Sequence, residues 1–205
     1  EVQLTKSTRL SATDQPYLIA SKLTVAHEAR DRVQITVGPG VEIRGGTIDL
    51  TDKGHLLIAG TRESPVILRK VRITQDLNGS FTAQYAVFDQ CSFAKGGAWF
   101  ASYSSKWQFD SCLLYKTKFP TLTEVDYAFQ FKNCTFAGMV LPEIVHPHPK
   151  NGTYDEMNFL RQQWNKVERC NFIVCTVPPT ILWCGEDSNY WACKFVPGPA
   201  FESDK

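Results

Sequence analysis

Several features that would narrow the function are scarce in this sequence of 205 residues. No apolar run approaches the ~18 residues of a membrane-spanning helix, so no membrane span is predicted. The 22 basic and 21 acidic residues leave a formal net charge of +1, and this balance gives no field that would attract nucleic acid. Residues 1–4 lack the charged start and the apolar stretch of a signal peptide, which predicts either a cytosolic chain or a trimmed mature one.

Cysteine chemistry is also limited, although the sequence contains 7 cysteines. No pair has the C-x-x-C spacing of a zinc site or of a thioredoxin-like redox motif. An odd count leaves at least one thiol unpaired. Metal-binding and redox roles are therefore disfavoured for these cysteines, and the pairing of Cys175 with Cys184 in a disulfide stays open.

Helical periodicity is nearly absent, and short β-rich runs take its place in the N-terminal third of the chain. Glycine-containing turns separate these runs. The runs lie at residues 23–25, 33–37, 41–43, 56–58, 66–68 and 71–73. With 43% hydrophobic residues the chain can bury a core, and its length suits one domain or at most two small ones.

A pattern centred on cysteine repeats five times in the rest of the chain. An apolar residue lies three positions before each of these cysteines, and another lies two positions after it. The repeated cysteines are Cys91, Cys112, Cys134, Cys170 and Cys193. Their intervals of 21, 22, 36 and 23 residues predict a solenoid with a coil of about 22 residues and one insertion of about 14.

The alternation within each repeat predicts which side chains lie inside the solenoid. A cysteine and the residue two positions later share one face of a strand, whereas the residue three positions earlier shares it only if the chain bends between them. A sharp corner is therefore predicted before each cysteine, and Asn133 suits it because asparagine tolerates a left-handed φ. The five cysteines are predicted to form one buried ladder of reduced thiols.

Two segments resemble a known family. The stretch PYLIASKLTVAHEARDRVQITVGPGVEIRGG, followed by GHLLIAGTRESPVIL, resembles the opening coils of bacterial pectate-lyase-like right-handed β-helix repeat proteins. The resemblance implies an all-β fold, a right-handed parallel β-helix. Because most of these proteins are exported, it also implies a secreted or cell-envelope location in a bacterium, with the signal peptide removed. It is specific for the fold and not for an activity.

These patterns predict a single β-helix domain over residues 1–205. Residues 1–22 are expected to form an N-terminal cap, residues 23–86 the first coils, and residues 87–205 the cysteine-containing coils, with an insertion at 140–163 that holds a short helix. The last residues lack an obvious polar cap, and a solenoid has to cover its last coil. We therefore expect another segment, a neighbouring domain or a second subunit in a homo-oligomer to cover that end.

The region around the insertion carries residues that could perform chemistry. Glu124, Asp126, His146 and His148 lie at matching offsets from successive ladder cysteines, so parallel coils would bring each carboxylate beside a histidine. Such a group could act as a general acid and base, or it could hold a divalent metal, although no cofactor is predicted. The alternative is that these four side chains are solvated loop residues.

Two aspartates form a second candidate pair. Asp89 and Asp110 occupy the same position before their cysteines, which predicts that they stack ~4.8 Å apart in neighbouring coils. That separation approaches the spacing of the two carboxylates in a glycoside hydrolase. The alternative is that aspartate is simply a good corner residue. A polysaccharide lyase is disfavoured, because no run of acidic residues marks a calcium site.

Exposed aromatic rings are a third candidate feature, since flat rings on a sheet can stack against sugars. Most of the aromatic side chains are expected in the core. A polar turn is predicted at residues 103–106, with Tyr103 in the turn and Trp99 and Trp107 on either side of it. These three aromatic side chains are predicted to be exposed and to bind a ligand.

Two functions remain open from the sequence. In the first, the chain is a non-catalytic module of an exported bacterial protein, a structural or carbohydrate-contacting surface with polysaccharide as its partner. In the second, it is a polysaccharide-cleaving enzyme, a lyase or a glycoside hydrolase, with its site beside the insertion. The short chain and the lack of a lyase-type acidic cluster favour the first function.

Overall fold

The chain folds into a parallel β-solenoid. The computed structural model describes residues 1–26, 29–51, 53–75, 79–95, 105–120, 127–141, 166–178 and 185–196. Over these ranges every regular element is a strand, and every strand pair runs parallel. The same ranges contain no helix that is long and apolar enough to cross a membrane. The predicted all-β, parallel architecture is confirmed, whereas residues 142–163 of the predicted insertion, with its short helix, lie outside the described residues.

Three sheets form the sides of the solenoid, and the chain visits them in turn. Sheet A contains β1 (Val2–Leu4), β4 (Lys22–Val25), β7 (Thr47–Leu50), β10 (Arg72–Gln75) and β13 (Ser92–Lys95). Sheet B contains β2 (Thr8–Leu10), β5 (Val33–Val37), β8 (Gly54–Ala59), β11 (Ser80–Gln84), β14 (Ser105–Asp110), β16 (Tyr127–Lys132), β18 (Lys166–Glu168) and β21 (Gly185–Glu186). Sheet C contains β3 (Tyr17–Leu18), β6 (Glu42–Arg44), β9 (Val66–Arg69), β12 (Ala86–Asp89), β15 (Leu113–Tyr115), β17 (Thr135–Ala137), β19 (Asn171–Ile173) and β22 (Asn189–Trp191).

Beyond β13, the side of the solenoid that carries sheet A has shorter stretches of paired backbone in the described residues. Two isolated bridges, Ser92 with Lys118 and Val140 with Thr176, continue it. A two-stranded sheet of β20 (Thr176–Val177) and β23 (Lys194–Phe195) follows. The backbone pairing therefore runs along all three sides into the last described coil.

Alternating apolar and polar residues explain why these segments form strands. In β5, Val33, Ile35 and Val37 are buried, whereas Gln34 and Thr36 are only partly covered. Successive side chains of a strand point to opposite faces, so this alternation places the apolar set inside the solenoid. The β-branched residues in the strand also favour the extended backbone.

Coil length varies along the solenoid. The paired residues Gln108 and Gln130 are 22 positions apart, which equals the predicted coil, while Asn171 and Asn189 are 18 apart. The longest described step, 36 positions, separates Asn133 from Arg169. The strands keep their register across all of these steps, so the connecting segments absorb the differences in length.

One residue with a positive φ ends most strands of sheets B and C. After sheet B these residues are Tyr85, Ser111, Asn133, Arg169 and Asp187, and after sheet C they are Gly45, Lys70, Gln90, Lys116, Gly138, Val174 and Ala192. A left-handed residue turns the chain sharply, and non-glycine residues adopt it only at a cost. The corner predicted at Asn133 is confirmed, with φ at 53°. Its amide still donates to the carbonyl oxygen of Glu168 in the next coil, at 2.9 Å.

The core changes character along the axis. In the first coils it consists of aliphatic side chains such as Ile35, Ile48 and Leu56. From Phe81 onward aromatic rings fill it. The rings of Phe136 and Phe172 stack with centroids 4.8 Å apart, and Tyr190 continues the stack at the same distance. That distance matches the spacing of neighbouring strands, so the ring stack follows the backbone ladder.

The cysteines form two rows instead of the single predicted ladder. The register places Cys112, Cys134 and Cys170 at equivalent positions, directly before β15, β17 and β19. Cys91 and Cys193 belong to a second row at the next corner. This second row contains Val71, Cys91, Thr117, Met139, Cys175 and Cys193. The prediction of one ladder is therefore wrong.

The error has a simple geometric cause. The two corners of a coil lie only five residues apart, as Cys170 and Cys175 show. Two cysteines can therefore be separated by about one coil length and still lie at different corners. Cys193 is also only half-buried, while the other repeated cysteines are buried. Cys175 carries a free thiol, and Cys184 lies outside the described residues.

The same correction separates the two aspartates. Asp89 lies at the end of β12 in sheet C and pairs with Tyr115. Asp110 ends β14 in sheet B and pairs with Gln84 and Lys132. Their carboxylates therefore belong to different sheets, and the stacked pair expected for a glycoside hydrolase does not form.

Candidate functional site

Most of the side chains proposed from the sequence fall outside the described residues. This applies to the acid–base group of Glu124, Asp126, His146 and His148, and also to Trp99 and Tyr103. Their convergence stays a prediction. Trp107 is the one sequence-proposed ligand-binding residue that lies in a described strand, β14.

Trp107 points into the core, which corrects the prediction that it is exposed. Its side chain is only 1% exposed, and its ring packs against Phe93 and Phe119. The indole Nε1–H donates to Oε1 of Gln75, itself fully buried. The amide of Gln75 in turn donates to the carbonyl oxygen of Gly79 at 2.6 Å. Because a buried indole needs a polar partner, Gln75 explains how the ring can lie inside, where no sugar reaches it.

A different surface combines exposed rings with polar groups. We call it the C-terminal sheet C surface, and it is the outer face of four successive strands, β15, β17, β19 and β22. The middle residue of each strand points inward, so the first and third residues point outward. The surface consists of Leu113, Tyr115, Thr135, Ala137, Asn171, Ile173, Asn189 and Trp191.

One column of this surface is apolar. Tyr115 pairs with Ala137, Ala137 with Ile173, and Ile173 with Trp191. Neighbouring strands lie ~4.8 Å apart, so the four side chains form a straight row parallel to the solenoid axis. Tyr115 and Trp191, at its two ends, are 38% and 51% exposed. The column thus offers two accessible rings with small and branched apolar side chains between them.

The adjacent column supplies hydrogen-bonding groups. It contains Thr135, Asn171 and Asn189 in register, after Leu113 at its start. The amide Nδ2 of Asn189 donates to Oδ1 of Asn171 at 3.1 Å. This bond orients the two amides along the column and leaves each with further donor or acceptor capacity.

Charge is concentrated at one edge of the surface. The ammonium group of Lys116 lies 4.9 Å from the centroid of the Tyr115 ring, within the range of a cation–π contact. Hydrogen bonding with Tyr115 raises the pKa of Lys116. Farther along sheet C, Arg69 contacts Glu42 at 2.9 Å and Asp89 at 2.5 Å. Arg44 also contacts Glu42, so two guanidinium groups balance the two carboxylates. None of the four side chains of the ring-bearing column is charged.

A polar cluster on sheet B could in principle support acid–base chemistry. Nδ1 of His55 lies within hydrogen-bonding distance of the hydroxyl of Ser80 and 3.1 Å from the Ser80 carbonyl oxygen, and Arg32 donates to the same hydroxyl. Burial lowers the pKa of His55. To donate a hydrogen bond to the Ser80 carbonyl oxygen, Nδ1 has to be protonated. A protonated Nδ1 cannot act as a base that accepts a proton from the Ser80 hydroxyl. We therefore assign the cluster to the joining of neighbouring coils.

The buried thiols are expected to be unreactive. Burial raises the pKa of Cys91 to about 12 and also raises that of Cys134. Hydrogen bonding with Cys134, together with burial, raises the pKa of Cys170. The thiolate is the reactive form of cysteine, so these side chains serve as core residues. Among the described residues no group of three or more histidine, cysteine or acidic side chains could hold a metal ion.

Sequence reasoning missed Tyr115 and Trp191 as surface residues. The signal that could have found them is the five-residue step between the two corners of a coil, visible in Cys170 and Cys175. Four residues lie between the left-handed residue of one corner and that of the next, and their alternation puts the second and fourth outside. Applied to each coil, that rule identifies both aromatic residues as outward-facing.

Comparison of the chain with protein-family models, with curated proteins and with solved structures finds no match.

Proposed function

We propose that this chain is a non-catalytic β-helix module that binds neutral carbohydrate on the C-terminal sheet C surface. The observation that carries the proposal is the register that places Tyr115 and Trp191 in one exposed column. The resemblance of the first coils to exported pectate-lyase-like proteins supports a bacterial origin and a secreted or cell-envelope location.

The apolar and polar columns match the two kinds of surface on a sugar, its apolar ring faces and its hydroxyl groups. Flat aromatic rings pack against the apolar faces of sugar rings, and fixed polar groups set orientation and specificity. Tyr115 and Trp191 would provide the stacking surfaces, and the amides of Asn171 and Asn189 would bind hydroxyl groups. Because the columns run parallel to the solenoid axis, an extended glycan lying along that axis would contact both columns at once.

The composition of this surface supports binding over cleavage. Hydrolysis of a glycosidic bond ordinarily uses two carboxylates that flank the bond. None of the eight residues that define the surface is acidic. A sugar held there would meet rings, hydroxyls and amides. At the Tyr115 edge it would also lie near Lys116 and near the single carboxylate of Asp89, which is paired with Arg69.

The alternative is a polysaccharide-cleaving enzyme, a lyase or a glycoside hydrolase, with Glu124, Asp126, His146 and His148 as its acid–base or metal-binding group. It predicts the release of new reducing ends from a polysaccharide, and loss of that release when His146 or Glu124 is replaced.

A glycan array combined with a reducing-end assay on the same samples separates the two functions. The wild-type protein should retain a neutral oligosaccharide without releasing reducing ends, and Trp191→Ala should lower its affinity at least tenfold. Leu18→Ala is the matched control, since Leu18 is also exposed on sheet C, at its other end, and it should bind as the wild type does. Failure of the wild type to bind any glycan, or equal losses in the two variants, would contradict the proposal.

A further inference from the structure

The N-terminal end of the solenoid contains a cavity that the carbohydrate surface does not use. Its volume is about 400 Å³, which lies within the ~300–1,000 Å³ of small-molecule sites. The first coil, β1 to β3, surrounds it, and side chains of the next coils form its floor. It therefore lies inside the solenoid, at the opposite end from Trp191.

Aliphatic side chains line almost the whole cavity. They include Leu4, Leu10 and Leu23 in the walls and Ile35, Val37 and Leu56 in the floor. The floor residues Ile35, Val37 and Leu56 are buried, while Leu4, Leu10 and Leu23 of the walls are only partly buried. Water needs two to four polar partners to occupy such a space, and most of this lining offers none.

The wall of the cavity is held in shape by a close backbone contact. Ile19 packs directly against Gly46, where an added Cβ would overlap the carbonyl oxygen of Ile19. Gly46 also has a φ of 65°, which favours glycine. The amide of Ile19 donates to the carbonyl oxygen of Arg44 at 3.0 Å. The backbone of Ile19 is therefore held against Gly46 at the wall of the cavity.

Polar groups are confined to the rim. The carboxylate of Glu1 accepts a hydrogen bond from Thr24 at 3.2 Å, and the ammonium group of Lys22 contacts Asp49 at 2.6 Å. The hydroxyl-bearing residues Thr8 and Ser21 also line the cavity. One acidic and one basic side chain at the same rim favour an uncharged head group that hydrogen-bonds over a charged one.

We propose that this cavity binds a single aliphatic chain with an uncharged hydroxyl head group, a medium-chain alcohol or a monoacylglycerol. The chain fills the apolar interior of the first coil, and the hydroxyl group lies at the rim. Filling the space recovers contacts that unfilled apolar volume forfeits, because an empty apolar cavity destabilises a folded protein. Ligand binding should therefore raise the midpoint of thermal unfolding.

Displacement of a fluorescent apolar probe tests the proposal. Wild-type protein should bind N-phenyl-1-naphthylamine saturably with one site, and 1-decanol should displace it more effectively than decanoate or decylamine. Leu10→Trp, which fills the cavity, should weaken probe binding at least tenfold, and Leu4→Phe provides a second filling variant if the first fails to fold. Trp191→Ala, at the far end, should bind the probe as the wild type does.

Three results would overturn the proposal. They are the absence of saturable binding, wild-type affinity in a folded filling variant, and a preference for either charged ligand over decanol. A fourth contradicting result is dimerisation through this end of the solenoid, which sedimentation at several protein concentrations would detect. If dimers form and probe binding falls with dimerisation, the occupant of this end is a second copy of the chain and not an aliphatic ligand.

Discussion

The first and last coils of this solenoid share one backbone and differ in chemistry on both faces. The early core is aliphatic, and the outer face of sheet C carries the ion pairs of Arg69 with Glu42 and Asp89. The late core is a stack of aromatic rings with cysteines at its corners, and the outer face of sheet C carries Tyr115 and Trp191. Backbone pairing thus determines the architecture, while the outward residues are free to specify a function.

The corners of sheet C vary from coil to coil. Gly45 in an early coil and Gly138 in a late one adopt a positive φ without strain, whereas Lys70, Val174 and Ala192 carry a side chain there. A branched side chain in the left-handed region is strained, so Val174 is the corner residue at which strain is expected. The predictions below test the differences between coils from the largest expected effect to the smallest.

Removal of one ring from the aromatic stack should have the largest effect. Phe172 lies between Phe136 and Tyr190 and is fully buried. Phe172→Ala should lower the free energy of unfolding by ~3–5 kcal/mol, because it removes buried apolar area and leaves a cavity. Chemical denaturation measures the change. The adjacent Ile173→Ala, on the outer face, should cost less than ~1 kcal/mol, and equal losses would show that the alternation is wrong.

Enlargement of a buried cysteine should have the next largest effect. Cys134 is fully buried between Cys112 and Cys170, so Cys134→Leu should overpack the corner and lower the free energy of unfolding by ~1–3 kcal/mol. Cys193→Leu is the matched control, because that side chain is only half-buried, and it should cost less. Thiol reagents should modify Cys193 before the buried cysteines. Rapid modification of Cys134 in the native protein would contradict its burial.

Relief of strain at a late corner should stabilise the protein. Val174 is 62% exposed and has a φ of 53°, so Val174→Gly removes a left-handed branched residue at little cost in packing. We expect the free energy of unfolding to rise by ~1 kcal/mol, from the penalty that a Cβ carries in this region. Gly138 occupies the same corner one coil earlier. Gly138→Val should destabilise, and a stabilising effect of that variant would refute the corner assignment.

Protonation of a half-buried histidine should have the smallest effect. Burial lowers the pKa of His55 in the folded protein, so the unfolded chain takes up the proton first as the pH falls. The stabilisation from the neutral ring is complete above the unfolded pKa of ~6.5, and it is lost as the pH falls toward the folded pKa. The free energy of unfolding should therefore decrease from pH 7 to pH 5, and His55→Gln should remove that part of the decrease. An unchanged pH dependence in the variant would rule out this role.

The repeat made the architecture predictable, while the assignment of side chains to corners was harder. The repeat period predicted a solenoid, the family resemblance implied parallel strands, and turn chemistry predicted the left-handed corner at Asn133. The cysteine intervals misled, because Cys91 and Cys112 lie about one coil apart but at different corners. A repeat period alone does not distinguish corners when similar residues occupy both.

Long-range partners account for the remaining differences. Trp107 follows the polar residues Ser105 and Lys106 in the sequence, and nothing local shows that it is buried. The acceptor for its indole is Gln75, 32 positions earlier in the chain. The outward column of Tyr115 and Trp191 likewise depends on a register that spans several coils. Such pairings become visible only once the strands are aligned in space.

The most direct test of the proposed function is a titration of isotope-labelled protein with a glycan selected on the array, followed by amide NMR. The account predicts that the side-chain amides of Asn171 and Asn189 shift together with the indole N–H of Trp191, and that the indole of Trp107 does not move. Shifts confined to residues 140–163, or shifts at none of the residues of the C-terminal sheet C surface, would contradict it.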